Sequence, residues 1–210
     1  MQKQKPQNRL EKSLKEQRFM PKELERKLIE IIKEPEKLEK YKNDLFLEWK
    51  SFLNFYQKLL EEDERESQFG TSRGYILLGV LAEGLVKIVL FFDDPSKYLD
   101  KKQGNRTLGN LKGEIKKLLK AHKKESNETK IKNLEKSLEL INSLRNNFIH
   151  FPFYYSDDYR FRGIFFQVFA YLLDKFSLWE YLDSPEVEFI KERAKKPGGV
   201  SLFDVELYEQ

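Results

Sequence analysis

Apolar residues recur three and four positions apart along most of this 210-residue chain, the spacing that turns one face of a helix toward a core. Almost every segment reads as helix, and residues 200–207 alone read as a short extended tail. Pro21 and Pro35 stand where helices begin, because proline is tolerated at the first helical position. They predict a short charged helix over 21–33 and a long one over 36–62. In the long one Leu38, Tyr41, Leu45, Trp49, Phe52, Phe55, Tyr56 and Leu59 fall at helical spacing.

Either Thr71 or Ser72 can cap the next helix, which runs to about residue 92. It is apolar on most faces and should be the central buried element. Asp93-Asp94-Pro95 ends it, and a polar connection follows. Thr107 or Asn110 starts a shorter helix to about residue 122. After Ser126-Asn127 a third core helix covers 128–149, with Ile131, Leu134, Leu138, Ile141 and Leu144 in step, until Phe151-Pro152 stops it. Asp157-Asp158 cap a fourth helix to about residue 182, one face of which is nearly all aromatic. Ser184-Pro185 opens a last helix to about 196. The expected fold is all-α: a four-helix bundle over 70–182, an N-terminal helical arm over 1–69, and an extra C-terminal helix and tail over 183–210.

Composition narrows the chemistry. Seventeen Phe, ten Tyr and two Trp supply a core too apolar for a chain disordered throughout. The absence of cysteine removes disulfides and thiolate metal sites, and two histidines argue against a polyhistidine zinc site. The acidic pairs and the run Glu61-Glu62-Asp63-Glu64 fit no paired-carboxylate metal pattern and stand at helix ends, where acids cap. No cofactor or metal is expected. The start of the chain has no apolar signal-like core, and the most membrane-like stretch, 74–92, carries Glu83 and Lys87 at i,i+4 spacing. A cytoplasmic protein with no membrane partner is the expectation.

The net charge is +4, unevenly spread. Residues 1–43 hold 13 Lys/Arg against 8 Glu, and residues 112–136 hold 9 Lys against 4 Glu. Such stretches suit a polyanion. They also suit a solvated helix face, or the Lys/Glu enrichment of a thermophile.

One stretch carries chemistry, Arg145-Asn146-Asn147-Phe148-Ile149-His150. An arginine presents a planar fork to phosphate, and an imidazole near its ordinary pKa of ~6.5 takes or gives a proton. On a regular helix the two are about 140° apart. The Phe-Pro that follows forces an exit near His150, which could turn the histidine back toward the arginine. Basic residues in a last turn are also what the helix dipole favours, so the stretch has a purely structural explanation. The other histidine, His122, lies among lysines and reads as surface. Glu83, in the apolar helix, needs a partner. Lys87 or Arg73 would make a structural ion pair, whereas Arg145 would make Glu83 an orienting group for the guanidinium.

The run R-N-x-F-x-H at the end of the third bundle helix resembles the R-x(4–6)-H signature of the HEPN superfamily, in which a polar residue follows the arginine as Asn146 does. Ser72-Arg73-Gly74 opening an apolar helix that contains Glu83, and Thr107-Leu108-Gly109-Asn110-Leu111 opening the next, are similar to its mannitol operon repressor-like and abortive-infection-like branches. The likeness covers about residues 70–182. It implies a metal-independent endoribonuclease, of toxin or defence type, with Arg145, His150 and Asn146 catalytic and Glu83 and Arg73 behind them. With one histidine per motif, a homodimer would supply the second proton-transfer group. RNA is the implied substrate, and an antitoxin or regulator protein a possible partner. Alanine at Arg145 or His150 should abolish cleavage with thermal stability unchanged. Some family members carry a tyrosine two residues after the histidine, where this chain has Pro152. The alternative is a non-catalytic regulatory module that binds a protein or nucleic acid.

Overall fold

Capping residues decide where these helices start and stop, and tertiary contacts decide which of their faces are buried. The computed structural model describes residues 22–63, 70–100, 107–150 and 159–195. Its elements are α1 (Lys22–Lys33), α2 (Pro35–Asp63), α3 (Gly70–Asp93), α4 (Pro95–Asp100), α5 (Leu108–Ala121), α6 (Glu128–His150), α7 (Tyr159–Lys175), a 3-10 turn (Trp179–Tyr181) and α8 (Ser184–Ala194). Among the described residues the regular structure is helical throughout, as the apolar spacing predicts. The expected extended tail and the Asp157-Asp158 cap lie outside the described residues.

Three boundaries differ from expectation. Thr71 and Ser72 sit inside the first turn of α3, which already begins at Gly70. The connection after Asp93 contains the short helix α4: Pro95 presets its first residue, and the Asp94 carboxylate accepts the Lys97 N–H at 2.9 Å as its cap. The fourth bundle helix stops at Lys175 and does not reach 182. There Ser177 takes a left-handed φ of 55°, and the Leu178 N–H bonds back to the Leu173 carbonyl at 2.8 Å, a Schellman closure. Lys123, with φ 53°, closes α5 in the same way through Lys124 N–H to Leu119 O at 3.0 Å. The start of α6 follows the sequence reading, because Asn127 Oδ1 accepts the N–H groups of Thr129 and Lys130.

The apolar helix α3 is central, packed by α2, α5, α6 and α7. Its segment Gly74–Asp93 is long and apolar enough to cross a membrane by length and composition, and here it supplies the middle of the core. The aromatic face of α7 fills that core: Phe165, Phe166, Phe169 and Tyr171 are fully buried. Phe169 meets Trp49 of α2 edge-on at 5.8 Å, and Phe166 meets Phe189 of α8 at 5.5 Å. Lys50 of α2 also reaches both Asp183 and Glu186 at the start of α8.

Ion pairs reveal the helix directions. Lys112 pairs with Glu139, Lys116 with Glu135 at 2.9 Å, and Lys120 with Glu128 at 2.6 Å, so α6 runs antiparallel to α5. Leu108 at the start of α5 lies by Glu83, and His122 at its end bonds Asp93 at 2.7 Å, so α5 runs alongside α3 in the same direction. The last turn of α6 therefore lies at the same end of the bundle as the first turn of α3.

Candidate functional site

Glu83 draws three helices to one carboxylate. It belongs to α3, where the Lys87 ammonium one turn on donates to its Oε1 at 2.5 Å. The guanidinium of Arg145, from α6, donates to its Oε2. The Leu108 N–H, at the start of α5, approaches the same oxygen at 3.4 Å. Thr107 is the N-cap of α5 yet makes no side-chain capping bond, so a carboxylate from a neighbouring helix stands at that N-terminus instead. Burial pushes the Glu83 carboxyl up, but the charges and hydrogen bonds of Lys87 and Arg145 outweigh it and hold the pKa below its ordinary value.

Arg145 reaches this carboxylate because α3 has no side chain in its way. A Cβ on Gly79, one turn before Glu83, would stand 2.7–2.9 Å from the Cβ, Cγ and Cδ of Arg145. The arginine stem lies flat on the α3 backbone, and its side chain is 23% exposed. The guanidinium has five N–H donors, and Glu83 is its one ion-pair partner among the described residues. A phosphate approaching from solvent would find further donors on a fork already held in place.

The other sequence-predicted residues fall as follows. Asn146 is exposed, about 100° around the helix from Arg145. The helix persists through His150, five residues or roughly 7.5 Å beyond Arg145, and its side chain lies outside the described residues. Arg73 stands ten residues before Glu83, about 15 Å along α3, at the bundle end where α6 finishes, and its side chain likewise lies outside the described residues. Lys87, one turn away, is the α3 partner that Glu83 has. His122 is half-exposed at the C-cap of α5.

Two features of the site escaped sequence reading. Gly79 looks like any glycine in an apolar helix, and only the crossing of α6 shows what it is for. Arg162 of α7 places its guanidinium 5.7 Å from the ring centre of Tyr75, one turn before Gly79 on α3, which brings a second arginine to the same end of the bundle. The basic stretch over 112–136 contributes less charge than its composition suggests, since Lys112, Lys116, Lys117 and Lys120 are each paired with a glutamate.

Comparison with protein-family models, with curated proteins and with solved structures returns no match to this chain.

Proposed function

We propose that the chain is a metal-independent endoribonuclease of the HEPN type, built on that family's four-helix bundle and working in the cytoplasm as a homodimer on RNA. What carries the reading is the seating of Arg145: its stem lies on Gly79, its fork is held by Glu83, and the histidine of the same motif follows at the end of the helix. In this reading the substrate's 2′-hydroxyl attacks the adjacent phosphorus while the bond to the 5′-oxygen breaks. The products are a 2′,3′-cyclic phosphate and a 5′-hydroxyl. His150 of one protomer takes the 2′-hydroxyl proton, and His150 of the partner subunit gives a proton to the leaving oxygen. Arg145 donates to the phosphorane oxygens as charge accumulates there. Asn146 contacts the phosphate or orients the histidine.

Cleavage should be insensitive to EDTA, leave a cyclic-phosphate end, and vanish in His150→Ala. Arg145→Lys, which keeps a cation for Glu83 but loses the fork, should also lose cleavage and remain folded. A protein that light scattering shows to be monomeric at working concentration would count heavily against this scheme.

A second reading takes the bundle as a non-catalytic regulatory module for a nucleic-acid or protein partner. The observation favouring it is that Arg145 is already committed to Glu83, a bond that ties α6 to α3 whatever the chemistry. A folded dimer that binds RNA in a salt-sensitive way, with no turnover, would establish this reading in place of the first.

A further inference from the structure

On the face of α3 next to the Glu83 cluster, a cleft of about 320 Å3 opens between α1, α2, α3 and α4. That is at the lower end of small-molecule sites, which span ~300–1,000 Å3. Its floor is rigid. Trp49 is buried, and its indole N–H donates to the Leu81 carbonyl of α3 at 2.8 Å. Gly84 makes room for that indole, since a Cβ there would stand 3.2 Å from Trp49 Cδ1. One wall is aromatic, with Tyr41 edge-on to Phe91 at 5.7 Å. The rim is unusual for side chains facing water: Phe52 is 42% exposed and Val80 43%. A preformed floor with an uncovered apolar rim is the form of a site that takes a compact hydrophobic molecule.

The charges at its edge select the sign of that molecule. Lys87 lines the cleft, but its ammonium is bound to Glu83 at 2.5 Å. Glu48 also lines the cleft, beside Tyr41, is exposed, and pairs with no cation among the described residues. Burial raises the pKa of the Tyr41 phenol, and the Glu48 charge adds to the rise, so the local field at that end is negative. Aromatic faces attract cations as well.

We infer that this cleft binds a small hydrophobic amine, its ring system seated between Trp49, Phe52 and Val80 and its ammonium directed to Glu48 and the face of Tyr41. The site uses neither Arg145 nor His150, so it is independent of the nuclease reading.

Calorimetric titration of the full chain with 1-naphthylmethylamine, 1-naphthylmethanol and 1-naphthoate tests it. The amine should bind saturably and tightest, the alcohol next and the carboxylate weakest. Glu48→Gln should weaken the amine about five-fold and leave the alcohol unchanged. Val80→Trp, at an exposed position, should keep the melting temperature and abolish binding of both. A carboxylate that binds as well as the amine would overturn the inference, as would folded protein showing no saturable binding, or Val80→Trp leaving binding intact. If Val80→Trp instead dissociates a dimer in sedimentation, the cleft is covered by a second copy of the chain and the small-molecule assignment falls.

Discussion

Glu83 shows how much one side chain can be asked to hold. Its carboxylate is only 15% exposed and answers to Lys87, to Arg145 and to the first N–H of α5, so removing its charge leaves two cations without a counter-charge and one acceptor oxygen where there were two. Glu83→Gln should cost about 1.5–3 kcal/mol at neutral pH. Because the folded-state pKa lies below the ordinary 4.5, the stabilisation is complete above that value and is lost as pH falls through the folded pKa. Urea titrations at neutral pH and well below pH 4.5 should therefore show the gap between wild type and Glu83→Gln shrinking in acid. The same bond changes what the arginine variants should do: Arg145→Ala should lose stability as well as chemistry, and Arg145→Lys is the variant that separates the two. At Gly79 the constraint is steric. Gly79→Ala would press on the root of the Arg145 side chain, which cannot swing aside, and should destabilise by about 1–3 kcal/mol in the same assay. A wild-type urea midpoint in that variant would mean that α6 is free to shift away from α3.

At the scale of elements, most helix boundaries were legible to within a residue or two, and the end of α7 was not. Asn127 and Pro185 are local signals, set within a turn of the helix they open, whereas Pro95 reads only as the end of α3 and in fact also opens α4. The end of α7 carries no glycine. Its apolar spacing continues through Leu178 and Leu182, both buried, so periodicity alone runs past the true stop. What ends the helix is the left-handed turn at Ser177, which redirects the chain so that those leucines pack from a new direction. A serine is strained in that conformation and a glycine is not. Ser177→Gly should thus stabilise the protein by about 0.5–1 kcal/mol, a gain of a few degrees in a calorimetric scan. An unchanged or lower melting temperature would show that the closing bonds already compensate the strain.

Across the whole molecule, charge is spent on joining helices. The lysines of α5 meet glutamates of α6, Lys50 links α2 to α8, and Glu125, before α6, accepts from the Tyr171 hydroxyl and the Lys175 ammonium of α7. Burial, together with the neighbouring Glu125, pushes the Tyr171 phenol far above its ordinary pKa of 10.0. A neutral phenol is therefore favoured in the fold: its contribution is complete below pH 10 and is lost as pH rises above it. Tyr171→Phe should be less stable than wild type by about 1 kcal/mol at neutral pH and should close that gap in alkali, measured by denaturation at rising pH. A gap that stays constant to high pH would mean that the hydroxyl does not titrate with unfolding.

The apolar spacing, the prolines and the Asn127 cap determined the all-α architecture of the described residues, its central apolar helix and the aromatic face that fills the core. These are local properties, written within one or two turns of the residues that express them. The arginine and histidine of the candidate site were legible for the same reason, since five residues on one helix set their spacing. The partner of Arg145 was not: Glu83 is 62 positions away, and three acceptable partners could be named from sequence for that one carboxylate. Tertiary structure kept two of them, Lys87 and Arg145, and only the crossing of α6 over Gly79 brings the guanidinium within reach. It also decided that Lys112, Lys116, Lys117 and Lys120 in the basic run over 112–136 are paired with glutamates, and that Phe52, read as part of a core-facing stripe, stands at the rim of a cleft. Pairing and exposure depend on which helices become neighbours, and that is a property of the packed molecule.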